Sequence, residues 1–374
     1  MTSLQRARIS DVQDYEGGLD FFLKQGWTDG NPILLPTEQK VADYLQILGR
    51  DPLEVVAKSK DRNRTITIEH VVVNSIMAGC LPEELPVVIA AMQAVLGEGY
   101  QHNHLASLGG PWPFFIVSGP IVSTLGLNYD QYVMGPGGRA NSVIARATSL
   151  IAWNCLDQRP GGVQRGSYGP AWRNESILPE RPDSPWKQLN EERGFAKEVS
   201  TVTAYPATAT ENVMIHLIDS PEHILAPIVD SLSTGRFMWG PFVIVLPPNM
   251  VAIFTEAGWT KQDIVNYITE NTKRSIAELK ARTRWAEQQA GRRPWSELLE
   301  VKEGDRETMI YMFKRPSPEY YDISFRDKFL DGRDSEVIVI DSGGDSGPTT
   351  FVLIPGHESA PIPITVPITP ISGT

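Results

Sequence analysis

The sequence predicts an α/β protein, and three observations carry that reading. Short β-rich runs, Pro113-Phe114-Phe115-Ile116-Val117 and Pro241-Phe242-Val243-Ile244-Val245, alternate with longer apolar segments of helical spacing. A proline-glutamate pair opens an apolar helix twice, at Pro82-Glu83 and at Pro221-Glu222. Landmarks keep one order: Pro82, Pro113 and Gly126 recur as Pro221, Pro241 and Gly258, at offsets of 139, 128 and 132 residues. This regularity predicts two similar α/β halves, an internal duplication around a mixed sheet, with a C-terminal β-rich extension. The boundaries follow as an N-terminal helical and turn segment (1–60), a first half (61–190), a second half (191–290) and the extension (291–374). Chance similarity of unrelated α/β units is the alternative.

Taken in order, Tyr15 to Gln25 predicts a short helix and Ile33-Leu34-Leu35-Pro36 a short strand. Thr37 is a good N-cap for a helix from Glu38 to Leu48. Thr65 to Ile68 is β-rich, and Asn74 to Met77 reads as the end of a buried helix or strand. Ala78-Gly79 lets the chain turn sharply. Pro82 suits a first helical turn, and Leu85 to Leu96 continues at helical spacing. Beyond the Pro113 strand, Ile121 to Leu125 and Ser142 to Trp153 read as helices, the second with Asn141 as N-cap. Asn154 to Ser184 is loop-rich and predicts a lid or a wall of the site, with a subunit-contact arm as the alternative. Thr201 to Tyr205 is a strand. Thr260 to Trp295 is mostly helical. Strands at 337–340 and 351–354 flank a glycine-rich turn at 342–347, read as a hairpin in preference to a crevice loop. The proline-bearing tail from Pro361 is extended.

Composition bounds the function. The chain has 374 residues, 41% of them hydrophobic and 21% charged, ordinary for a soluble globular protein. A net charge of -11 argues against nucleic acid and anionic membrane surfaces as partners. Two cysteines, Cys80 and Cys155, give no disulfide framework and no four-cysteine zinc site. The first 18 residues are polar and no apolar run approaches the length of a membrane span. The expectation is a soluble cytoplasmic protein that assembles as a homo-oligomer.

Two corners carry the chemistry. Cys80 falls at or just before a helix N-terminus, where unpaired N–H groups lower a thiol pKa, and Glu83 shares that turn. A buried inert cysteine beside a capping glutamate is the competing reading. Gly135 to Asn141 is a glycine-rich loop opening a helix, a setting that exposes N–H groups to an anion, with Arg139 as a carboxylate-matching fork. Asn74, Arg146, Trp27 and Asp29 are candidate walls of the same pocket. His102 and His104, two apart, share a face if they lie on a strand, which makes a metal site the second reading.

The segments Trp27-Thr28-Asp29-Gly30, Met77-Ala78-Gly79-Cys80-Leu81-Pro82-Glu83, Ser118-Gly119-Pro120, Arg139-Ala140-Asn141, Arg146-Ala147 and Ser184-Pro185-Trp186 resemble a poorly characterised bacterial family with an M-A-G-C-x-P-E motif. The resemblance spans about residues 20–270. It is associated with domains carrying a U/C-G-S-C redox motif (UGSC-like), which implies a thiol- or selenol-linked reaction on a small molecule. The chain departs from the family pattern at Ala145, at Asn154-Cys155 and at Ser118, and it has no C-x-x-C or C-G-S-C motif of its own.

The leading expectation is an enzyme acting on a small anionic substrate held by Arg139 and Asn141. Cys80 serves as nucleophile and Glu83 as acid–base, in lyase, hydrolase or thiol-transfer chemistry. No cofactor is required. A divalent metal on His102 and His104 defines the second reading, and a non-catalytic subunit docking a redox partner protein the third.

Overall fold

The computed structural model describes residues 12–100, 102, 110–233, 241–275, 277, 309–311, 336–345, 347–355 and 362–371. The expected α/β class is observed. Helix α1 (Tyr15–Lys24) is capped by Asp14, and α2 (Glu38–Leu48) by Thr37, with Gly49 ending α2 in the left-handed conformation. The expected strand at Ile33 to Pro36 does not form. Prolines bracket it, and it is held by the Leu34 N–H on the Met77 carbonyl (3.2 Å) and the Tyr15 hydroxyl on the Ile33 carbonyl (3.1 Å).

Strands β1 (Val55–Ser59) and β2 (Arg64–Thr67) form an antiparallel hairpin that feeds α3 (Ile68–Ala78). Thr67 and His70 close a capping box at its start. The buried run Val71 to Met77 is thus helical. Gly79, at φ +96°, ends α3, a 3-10 turn covers Pro82–Glu84, and α4 (Leu85–Val95) follows, apolar on nearly every side and buried to match.

The main sheet then begins. Its first half contains β3 (Trp112–Ser118), α5 (Ile121–Thr124), α6 (Arg139–Cys155), β4 (Ile177–Pro179), α7 (Leu189–Glu192) and β5 (Thr201–Met214). The second contains α8 (Pro221–Leu232), β6 (Phe242–Leu246), α9 (Pro248–Glu256) and α10 (Lys261–Asn271). A small pair, β7 (Lys273–Ser275) with β8 (Met309–Tyr311), stands apart from β9 (Val337–Asp341), β10 (Thr349–Pro355) and β11 (Ile364–Pro367). The helix expected over Thr260 to Trp295 therefore ends at Asn271 and turns into a strand. Its remainder lies outside the described residues, apart from residue 277.

Among the described residues the sheet has seven strands in the order β4-β3-β5-β10-β6-β9, with β11 beside β5. From either end the pattern is the same: an edge strand, a parallel neighbour, then an antiparallel strand. The C-terminal stretch is β-rich, as expected, and its strands complete this sheet. Strands β9 and β10 flank β6 and do not pair with each other, so the glycine-rich turn between them is a crossing loop, not a hairpin.

The repeat is legible in backbone bonds. Leu127 N–H bonds the Val122 carbonyl (2.9 Å) just as Trp259 N–H bonds Phe254 (2.8 Å), which reproduces the Gly126–Gly258 match. Glu180 N–H bonds Val117 (2.8 Å) just as Ser342 N–H bonds Leu246 (3.1 Å). That second pair sets the strands one residue away from the Pro113–Pro241 alignment. Side chains alternate along a strand, so a slip of one reverses every face. Phe114 and Ile116 accordingly share the inner cluster with Val243 and Val245, while Phe115 packs under the first-half helices and Phe242 under the second-half ones.

The sheet curls around that inner cluster until its edges meet. Arg181 N–H bonds the Asp341 carbonyl (2.8 Å), and Ser342 Oγ donates to the Pro179 carbonyl (2.7 Å). Helices α3, α4 and α6 cover one half of the outer face, and α8, α9 and α10 the other.

Candidate functional site

The two corners singled out by sequence do meet. Cys80 lies against α6, its thiol donating to the Val143 carbonyl (3.3 Å), and Arg139 Nη1 reaches the Gly79 carbonyl (3.5 Å). The environment of Cys80 differs from the expected one. It is only 1% exposed, and burial, reinforced by the Glu84 charge, pushes its thiol well above the ordinary range. A three-residue 3-10 turn separates it from α4, so the α4 N-terminus does not sit at the thiol. Cys155 is also a free thiol, raised by burial to about 12.

Glu83 is exposed, and its neighbour Glu84 takes the inward position. Glu84 Oε2 accepts from the Leu81 N–H (2.8 Å), and its carboxylate forms an ion pair with Arg139. Burial raises the Glu84 pKa, and the Arg139 hydrogen bond works against that rise. The Arg139 fork thus already holds a carboxylate of its own chain. The N-cap of α6 is Gly138, not Asn141. Asn141 lies one turn inside the helix, where its side chain both accepts from and donates to the Asn128 backbone (2.9 and 2.8 Å).

The long α6 presents a polar side that gathers several predicted residues and some unforeseen ones. Arg146 pairs with Asp29 through Nε (3.2 Å) and Nη2 (2.9 Å), and Nη2 also reaches the Pro32 carbonyl (2.8 Å). Burial opposes ionisation of Asp29, but the Arg146 bonds hold its pKa below the usual value. Asn154 Nδ2 donates to Asn74 Oδ1 (2.8 Å) and the Trp27 carbonyl (3.0 Å), and Asn74 donates to the His70 carbonyl (2.8 Å). These bonds tie α3, α6 and the Trp27 loop together. The Trp27 indole packs edge-on against Phe21 and Phe22, with centroids 5.7 and 5.5 Å away.

On the other flank of α6 lies a 3-10 turn, Arg173–Glu175, inside the stretch expected to be a lid or wall. Glu175 Oε2 accepts from Ser142 Oγ (2.8 Å), and burial raises its pKa. No cation pairs with it among the described residues. Arg173 stacks over Trp112 and Trp153, 4.2 and 5.4 Å from their centroids. Neither residue stands out in sequence, because nothing local marks which charges of a 30-residue loop turn inward.

His102 lies in a 3-10 turn instead of a strand, with Nε2 2.6 Å from Ser59 Oγ, and burial lowers its pKa. His104 lies outside the described residues. Among the described residues, no three His, Cys, Asp or Glu gather as metal ligands.

A buried charged cluster, missed by sequence, sits where the sheet edges close. Lys261 Nζ pairs with Glu180 (3.1 Å) and Glu192 (3.3 Å). Glu180 also accepts from Ser118 Oγ (2.8 Å) and the Leu189 N–H (2.7 Å). Asp341 is 1% exposed, with Arg181 Nε 3.4 Å away, and burial raises its pKa while the Arg181 charge opposes the rise. The partners come from β3, the residues just after β4, α7, β9 and α10, which marks this cluster as a clasp between the halves.

Comparison with protein-family models gives no match, and comparison with curated proteins gives none. The functional reading therefore rests on fold and geometry. No helix among the described residues is long and apolar enough to cross a membrane.

Proposed function

We propose that the chain is an enzyme performing proton-transfer chemistry on a small anionic molecule along the polar side of α6, with Glu175 as the acid–base residue. One observation carries this reading. Glu175 is a half-buried carboxylate held by the Ser142 hydroxyl, with no cation paired to it among the described residues and a pKa raised by burial. A carboxylate so placed is tuned toward the pH range where general acid–base catalysis works. The sites earlier expected to act, Cys80 and Arg139, are instead engaged within the fold.

The test is proton NMR of mixed small carboxylic acids incubated with the protein in D2O. Consumption of one acid, or loss of a carbon-bound proton to deuterium, is the expected result. Glu175→Gln should lower that rate by about two orders of magnitude or more, while Cys80→Ser keeps it. A fully active Glu175→Gln protein would refute the role. An inactive but folded Cys80→Ser protein would restore the thiol mechanism.

A further inference from the structure

We infer that Arg173 anchors an oxyanion at one end of an elongated ligand lying along α6. This rests on the reading of α6 as the floor of the site, but binding alone tests it. The Arg173 guanidinium is stacked over two indoles, Trp112 at 4.2 Å and Trp153 at 5.4 Å. Cation–π stacking fixes the plane of the group.

The N–H donors of the guanidinium are little used. Nη2 makes one long bond to the Ser149 carbonyl (3.4 Å), Nη1 makes none among the described residues, and Nε is enclosed without a partner. Among the described residues no carboxylate lies within ion-pair distance of Arg173, whereas Arg139, Arg146 and Arg181 each meet one. Asp29, the acid that influences it, is already held by two bonds from Arg146. A desolvated guanidinium without a counter-ion is unfavourable unless a ligand completes it. A rigid planar fork is also preorganised for two-point binding of a carboxylate or phosphate.

The position sets the ligand's length. Arg173 contacts α6 at Ser149, and Glu175 contacts it at Ser142. Seven residues of helix separate these points by about 10 Å. An oxyanion on Arg173 therefore places the reacting end of the ligand about two helical turns away, beside Glu175.

The experiment is titration calorimetry of the full chain with malonate and, separately, inorganic phosphate at constant ionic strength. Saturable binding of at least one is expected, and the preferred ion tells whether the anchored end is carboxylate or phosphate. Arg173→Met, which keeps an apolar stem between the indoles, should weaken binding about 10- to 100-fold. Arg173→Lys, which keeps the charge and loses the fork, should fall between, and it serves as the test if the methionine variant does not fold. No binding of either ion by the natural chain, or equal binding by the variants, overturns the anchor. Binding without proton exchange leaves the anchor standing and removes the role of Glu175.

Discussion

In the first half of the sheet, the helix after the β3–α5 corner is α6, with 17 residues and a polar side bearing Arg139, Ser142, Arg146 and Ser149. In the second half the corresponding place is taken by α10, with 11 residues, whose first residue, Lys261, reaches back into the clasp. The two helices are reached differently. Thr260 caps α10 directly after Trp259, whereas the first half inserts residues 128–138 between Leu127 and α6. That insert packs over the opposite half: the Gly343 N–H bonds the Tyr129 carbonyl (2.9 Å), and a Cβ on Gly344 would lie 2.2 Å from Gln131. Backbone bonds repeat between the halves while the polar side chains do not. The two halves thus share main-chain geometry, and the insertion is where they diverge.

The clasp should give the largest effect. Lys261→Met leaves Glu180 buried without its cation and should cost about 3–5 kcal/mol in denaturant unfolding. A loss near zero would mean that the halves do not depend on this contact. Next comes the corner after the first strand of each half, built with Gly119 in one and Pro248 in the other. Gly119 has φ +94°, and an added Cβ would lie 2.7 Å from Ser200 Cα. Gly119→Ala should therefore cost about 1–3 kcal/mol.

Arg139→Met tests whether the first-half fork is structural. Glu84 would be left buried and unpaired, for a loss of about 1–3 kcal/mol at neutral pH. The deficit should shrink on acidification, because a carboxyl with a raised folded pKa is favourable while protonated and unfavourable once pH rises through that value. A pH-independent deficit would refute the pairing.

Asp341→Asn should act in the opposite direction. The folded pKa of Asp341 is raised, so its ionisation weakens the fold as pH rises. The variant should be more stable than the natural chain at pH 7–8, by roughly 1 kcal/mol, and the gain should vanish below about pH 3, where both states are protonated. A melting series across pH decides it. The smallest effect belongs to exposed Glu83, where Glu83→Gln should stay within about 0.5 kcal/mol.

Much of this was readable from the chain alone because it is local. The cap at Thr37, the turn at Gly79 and the apolar spacing of α4 all act within a few residues. The strand alignment was off by one because proline marks where a strand begins and not which face it buries. Cys80 and Arg139 were correctly placed together, but the chemistry assigned to them depends on desolvation and on partners, which spacing does not report. What the sequence by itself determined is the α/β class and the order of most of its elements, since short-range sterics and hydrogen bonds decide these. Only the tertiary structure decided which charges are paired and which are not: Glu84 answers Arg139, Asp29 answers Arg146 and Glu180 answers Lys261, while Arg173 and Glu175 are left facing α6. Pairing joins residues up to 160 positions apart, Arg181 with Asp341, and its energy depends on burial that only the packed chain creates.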